Sequence, residues 1–430
     1  MGSLPANALE ENVYAVALAR DQVEAYCNQC LTSMAELRKC SACRKLAYCS
    51  QACQRADWKL HKTECKSIKT HQELATDSIR LVQRIIGLLA SNETGQVSEN
   101  YIPEGTRSFL TLQDHGSLLD AEADLFAADF MKHAVNPRPE LDLVRMIFKK
   151  VSINSFGVGN STGNTIGIGL CIKLSVANHS CKPSTRVCYR NRTAMLVPVC
   201  DEIPNSLQDA CHSYIDELMP KAMRREALKN KYKFDCECDG CTDDERNSRM
   251  EAWCCGICVN GWMRNREDAK CELCEWNMTK DHFELCRTAE EAAIASRLRL
   301  ENNAIPLETR KILCEKLLEL FKDTLHIFNV HRIPVLRCLF FVALASSDIA
   351  MAARTGVTLL SIMLEYQNEK DPAVLFQKYQ LSQLFCAAGA FEEAKKFLAD
   401  IREPLEKIYT ADSTIVRNVY CMIVKVRNAN

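Results

Sequence analysis

One spacing constrains this chain more than anything else in it. Cys27-x2-Cys30, Cys40-x2-Cys43, Cys49-x3-Cys53 and His61-x3-Cys65 follow one another within residues 27–65. Each pair suits a single metal ion, because a knuckle or one helical turn puts both side chains on the same side. The i, i+4 pairs Cys49/Cys53 and His61/Cys65 stack on one helix face. Four pairs supply ligands for two tetrahedral zinc sites. A segment this short cannot bury a core of its own, so metal must provide much of its folding free energy. Interleaved ligation is expected: Cys27, Cys30, Cys49 and Cys53 on one zinc, Cys40, Cys43, His61 and Cys65 on the other.

Composition decides how to read the other thiols. The chain has 430 residues and 25 cysteines, with a formal charge of −1. Its length suggests two to four domains, and 47% hydrophobic with 25% charged residues is ordinary globular composition. Residues 1–20 show neither a basic start nor an apolar h-region. The longest apolar run, Cys338 to Ala345, is too short to span a bilayer, so no membrane partner is expected. These features favour a reducing nuclear and/or cytoplasmic compartment, where clustered cysteines mean metal rather than disulfides. Residues 27–70 carry nine Lys/Arg against three Asp/Glu, but seven thiolates offset by two Zn²⁺ reduce that excess to about +3. This is too little to make nucleic acid a primary partner.

Two more cysteine constellations follow. Cys236-x-Cys238-x2-Cys241 offers three thiolates in one loop, and Cys181 is the natural fourth ligand. Cys255-x2-Cys258 and Cys271-x2-Cys274 read as a zinc ribbon, with Cys254 as an alternative to Cys255. The other ten cysteines sit mostly in apolar stretches, as small buried thiols do. Between the clusters, Ile79, Leu81, Val82, Ile85, Ile86 and Leu89 make one apolar helix face. Strands are expected at Thr185–Tyr189 and Met195–Val199. The back of the chain is helical, with periodicity over Glu308–Phe328, Val335–Thr355, Thr358–Gln367 and Ala373–Ala387. Residues 383–394 pattern as a tetratricopeptide hairpin: helix, Gly389 turn, Phe391, then Ala394 at a tight crossing. A generic helical bundle is the other reading. The loose basic group Lys221, Arg224 and Arg225 reads as a solvated helix face.

The finger's spacing, with Tyr48-Cys49-Ser50 and Trp58 ahead of His61, resembles the MYND finger. Asn178-His179-Ser180-Cys181, Tyr214-Ile215-Asp216 and Tyr232-Lys233-Phe234-Asp235-Cys236 resemble the SET domain of protein-lysine methyltransferases. Together, with helical repeats behind, the chain resembles the SET-and-MYND (SMYD) family over roughly residues 20–245 and 285–430. The resemblance implies an α+β multidomain fold: a SET β-fold interrupted by a MYND zinc finger, then a tetratricopeptide-like helical domain. It divides the chain into a residual N-terminal SET segment (1–26), the MYND finger (27–65), a helical SET insertion (66–150), the SET core with its post-SET zinc loop (151–241), the ribbon (242–285) and the helical repeats (286–430).

The implied activity is S-adenosylmethionine-dependent N-methylation of lysines in histones or other proteins, a chromatin-regulating chemistry. Under the resemblance, His115, Asn154, Asn178, His179 and Phe234 contact S-adenosylmethionine, Phe156 and Tyr232 wall the lysine channel, and Tyr214 is catalytic. It further implies proline-containing peptides docking at the finger, a possible helical-repeat partner and a monomer. Zinc is expected at four sites: two in the finger, one at the post-SET loop and one in the ribbon.

Two stretches depart from the family pattern. Members begin with a strand carrying a Gly-x-Gly turn, whereas residues 1–26 hold one glycine, Gly2, so that strand is expected to be missing or reduced. Gly167-Ile168-Gly169 aligns elsewhere and does not replace it. Before Tyr214, residues 205–213 lack the family's acidic lead-in to a β-strand. An alternative therefore stays open: a catalytically inactive SET/MYND scaffold that binds partners through its finger and repeats.

Overall fold

A computed structural model of the chain describes residues 8–429. Gly2 lies outside them. The chain divides into two compact units, one formed by residues up to His179 with Pro183–His212 and Lys229–Phe234, the other by Ser180–Lys182, Ser213–Leu228 and Asp235 onward.

The first unit opens with β1 (Glu10–Asn12) and β2 (Ala15–Leu18), then the small hairpin β3 (Arg38–Lys39) and β4 (Ala47–Tyr48) inside the cysteine-rich finger. Helix α1 (Gln51–His71) starts where Ser50 accepts the N–H of Cys53, and α2 (Asp77–Ala90) follows. Next come β5 (Val97–Ser98), β6 (Thr106–Arg107), α3 (Asp120–His133) and α4 (Leu141–Asn154). The sheet strands are β7 (Ser155–Gly159), β8 (Thr165–Leu170), β9 (Thr185–Arg190) and β10 (Thr193–Pro198). They form two three-stranded antiparallel sheets, β1-β10-β9 and β2-β8-β7.

Strand β2 shows why this unit holds together. All four of its residues are buried. Alternation sends Ala15 and Ala17 into a core shared with α2, α3 and α4, and Val16 and Leu18 into a second core with Val158, Ile166 and Leu196. A strand buried on both faces reads as an unbroken apolar run. The N-terminal segment is therefore a working part of the fold, with both of its strands paired. The glycines of Gly167-Ile168-Gly169 serve packing. Gly167 pairs with Leu18, and a Cβ there would lie 2.4 Å from the Ala17 carbonyl oxygen. Gly167→Ala is expected to cost about 1–3 kcal/mol, seen as a lower urea midpoint. Residues 205–213 form no strand. Ser206 Oγ instead donates to Asp209 Oδ2 at 2.7 Å and accepts its N–H at 3.1 Å, local bonding that favours a turn. The segment's one ladder contact is an isolated bridge between His212 and His179.

The second unit takes in the start of α5 (Lys221–Tyr232), then α6 (Asp239–Thr242), α7 (Asp244–Met250) and the two-stranded ribbon β11 (Trp253–Cys254) and β12 (Trp262–Met263). Seven helices complete it: α8 (Lys280–Glu301), α9 (Leu307–Phe321), α10 (Arg332–Ala345), α11 (Ile349–Tyr366), α12 (Pro372–Ala388), α13 (Phe391–Ile408) and α14 (Thr414–Asn428). This is a tetratricopeptide-like helical domain. The expected hairpin is α12 and α13, with Gly389 at φ 74° closing the first helix and Ala394 fully buried in the second. Three helix boundaries differ from the periodicity. Helix α11 runs unbroken through 355–358, where one helix is expected to end and another to begin. The expected helix over 335–355 breaks at Ser347, whose φ is 56°, and the Asp348 side chain caps α11 at the Met351 N–H. The run expected to end at Phe328 stops at Phe321. Helix α11 is long and apolar enough to cross a bilayer by composition, yet Leu359, Leu360, Ile362 and Met363 pack into the repeat core.

Candidate active site and metal centres

Every metal cluster expected from spacing is assembled. Cys27, Cys30, Cys49 and Cys53 form one group, and Cys40, Cys43, His61 and Cys65 a second. Cys181 joins Cys236, Cys238 and Cys241, while Cys255, Cys258, Cys271 and Cys274 form a fourth. A tetrahedral zinc with bonds near 2.3 Å sets its sulfurs about 3.8 Å apart. The observed separations fit: Cys30–Cys49 3.6 Å, Cys40–Cys65 4.0 Å, Cys181–Cys241 3.6 Å, Cys255–Cys274 3.7 Å and Cys258–Cys271 3.6 Å. All 25 cysteines are unbridged. Cys254 stays out of the ribbon cluster and points its thiol at the Lys322 carbonyl. Of the ten cysteines outside the clusters, Cys171, Cys188, Cys286, Cys314, Cys338 and Cys386 are buried.

The finger's second cluster rests on a buried ionic lattice. His61 presents Nε2 to Cys43 Sγ at 3.5 Å and donates Nδ1–H to Glu64 at 3.1 Å. That bond fixes the tautomer and ring orientation of a ligating histidine. Arg80 and Arg84 of α2 both bind Glu64, at 2.6 and 2.9 Å. Arg84 also binds Asp57 through both nitrogens of its fork, and Asp57 accepts the Tyr48 hydroxyl at 2.8 Å. All four charged side chains are at most 1% exposed. Burial pushes the Glu64 carboxyl up, but Arg84 and Arg80 outweigh it and hold it well below the usual carboxylate range.

The third cluster ties two distant stretches of the second unit. A Cβ on Gly240 would lie 2.8 Å from the Cys181 carbonyl carbon, so the loop approaches the 180–182 turn only as glycine. The Cys181 N–H donates to Cys238 Sγ at 3.1 Å. Burial raises the Cys238 thiol, but hydrogen bonds from Cys181, Cys236 and Cys241 bring it down to about 6, ready to ligate as thiolate. Arg224 corrects the sequence reading of a solvated basic face. It is fully buried and donates to the Gly240 carbonyl and to Asn247, which itself binds the Gly240 and Cys241 carbonyls.

Around Asn178-His179, the first unit brings separate segments together. The Asn178 carbonyl accepts the His212 N–H at 3.0 Å. The Phe156 ring stacks on His212 at 5.3 Å, and the His179 ring lies 6.1 Å from Phe234. Asn154, at the end of α4, donates to the carbonyls of Lys150 and Gln113. One turn earlier, Lys150 donates to Leu110 and Leu112. These two side chains hold the loop that carries His115, which is half-buried at φ 56°. Tyr232 is buried at the end of α5 under the Lys231 ammonium, 4.9 Å from its ring. Tyr214 belongs to the second unit. Its loop is anchored there by the Asp216–Arg337 ion pair and the Glu217–Gln367 hydrogen bond.

A family model of the MYND finger matches residues 27–65. SET domain-containing protein 14 of Caenorhabditis elegans is 70% identical to this chain over 99% of both. The chain belongs to the SET-and-MYND family. Histone-lysine N-methyltransferase SMYD3 of Homo sapiens is 31% identical over 52% of this chain and 53% of its own. Histone-lysine N-methyltransferase ASHR1 of Arabidopsis thaliana is 27% identical over 73% of this chain and 68% of its own. The chain spans about half the length of the SMYD relatives it matches.

In this SET-and-MYND chain, three groups that position the site carry no motif. His212 supports both Asn178 and Phe156. Glu11 of β1 accepts the N–H groups of Ile172, Lys173 and Leu174, fixing the turn that leads into Asn178. The Arg80/Arg84 pair had a signal: two arginines interrupting the apolar face of α2.

Proposed function

We propose that the chain is an S-adenosylmethionine-dependent protein-lysine N-methyltransferase acting on histone or other protein lysines. The observation that carries the reading is the gathering of Asn178, His179, His212, Phe156 and Phe234 at one turn, in a chain whose relatives are named lysine methyltransferases. S-adenosylmethionine supplies an electrophilic methyl group on a sulfonium. Asn178, His179 and Phe234 bind it, with the His115 loop set by Asn154. The Asn154 amide nitrogen is committed to two carbonyls, so this residue offers the cofactor its Oδ1. Phe156 and Tyr232 wall the channel, where aromatic faces favour the incoming ammonium. The Tyr214 hydroxyl orients the deprotonated amine. In-line displacement is mainly a positioning problem, and the first-unit residues gathered around Asn178 and His179 suit it. Zinc fills the four clusters, and proline-containing peptides dock at the finger beside Trp58, which is 43% exposed.

Calorimetric titration of S-adenosylmethionine into folded, zinc-replete protein tests the reading, and absence of binding overturns it in favour of a scaffold. Tyr214→Phe is then expected to lower methyl transfer by about 10²-fold or more with cofactor affinity unchanged. Full turnover in that variant removes Tyr214 from the catalytic role.

A further inference from the structure

Among the described residues, one group of ligand-bearing side chains converges outside the cysteine clusters. Glu251 follows α7, Glu290 lies mid-way along α8, and His331 immediately precedes α10. A ligand atom from each lies within 4.8 Å of the other two. His331 is 6% exposed, and its Nε2 is buried without a hydrogen-bond partner. An unpaired polar atom at such depth is costly and asks for a partner. Glu290 is oriented by the Trp253 indole N–H at 2.8 Å, the kind of outer-shell bond that aims a metal ligand.

We propose that Glu251, Glu290 and His331 bind one divalent transition-metal ion, with water completing its coordination. One imidazole with two carboxylates suits zinc-like ions, and three protein ligands leave an open position. Without a cation the two carboxylates conflict: burial and the neighbouring Glu290 push the Glu251 carboxyl up to about 7. His331 is held neutral, and so able to ligate, by burial and by Arg297. Lys221 and Arg224 also face Glu251. With Arg297, these cations oppose a metal, so this site binds more weakly than the thiolate clusters. The ion braces the ribbon-bearing segment, the long helix behind it and the start of the repeats. It is independent of the methyltransferase reading.

The test uses full-length protein with its thiolate sites filled by zinc. Equilibrated with excess Zn²⁺, desalted and counted by native mass spectrometry, the wild type is expected to carry one ion more than His331→Ala and Glu290→Gln. Equal counts overturn the proposal. Should His331→Ala fail to fold, the near-isosteric Glu290→Gln supplies the comparison. Co²⁺ added to the zinc-filled wild type gives a second readout: weak visible d–d bands without thiolate charge transfer, and quenching of Trp253 fluorescence. Absence of both overturns the proposal as well.

Discussion

Arg84→Met is expected to lower the stability of the first unit by about 3–5 kcal/mol, the usual cost of breaking a buried ion pair from one side. Arg84 is fully buried and bridges Asp57 to Glu64. Its removal leaves Asp57 with only the Tyr48 hydroxyl, and leaves Glu64 with Arg80 and His61. Methionine fills much of the volume, so the loss is electrostatic rather than a cavity. The lattice also supports metal binding: once its charge balance fails, Glu64 takes up a proton more readily and holds the His61 tautomer less firmly. Urea denaturation reads the stability. Zinc release to a chromogenic chelator reads the coupling and should accelerate. Stability within about 1 kcal/mol of wild type, the range of a surface pair, would show that the lattice is incidental. The sign against pH follows from Glu64. Its folded carboxyl titrates below its ordinary value, so its contribution is complete above about pH 4.5 and is lost as pH falls further.

Cys238→Ser should have the larger effect on the second unit. A structural zinc site contributes on the order of 10 kcal/mol to the fold that forms it, and Cys238 both belongs to the thiol cluster proposed to hold zinc and accepts the Cys181 N–H. The variant is expected to lose one zinc per chain, and the amides of residues 236–243 should lose hydrogen-exchange protection. Gly240, packed on Cys181 and Lys182, then keeps only the bonds that Arg224, Arg246 and Asn247 make to its carbonyl. The Arg224–Asn247 network, whose bonds involve no cysteine side chain, should keep α7 protected. Full metal content in the variant would reassign the ligand.

The cysteine clusters were legible because the relevant information is local. Ligand spacing along a knuckle or a helical turn survives in the bare sequence, and all four clusters form with the expected members. The repeat helices were legible for the same reason, through periodicity. Their ends were less so, since the break at Ser347 depends on one left-handed residue and one aspartate cap. What escaped was polar pairing across long separations. Arg84 meets a carboxylate 27 positions away and Glu11 meets amides more than 160 away. No period announces such partners. Arg224 was misread because a basic residue on a helix is usually solvated, and only the fold reveals the carbonyl it serves.

Glu64 and its partners also impose an order on synthesis. The finger's last ligand, Cys65, emerges from the ribosome before Arg80 and Arg84 do. For roughly one to four seconds, at about 5–20 residues per second, the finger is out while its acidic pair lacks the two arginines that neutralise it in the finished fold. The post-SET cluster waits longer, because Cys241 follows Cys181 by 60 residues. The nascent chain therefore gains its rigid parts in a fixed sequence: finger, then α2 latched over it, then the turn after His179. Cys181 waits longest for its cluster, as a free thiol, while the 60 residues up to Cys241 are made.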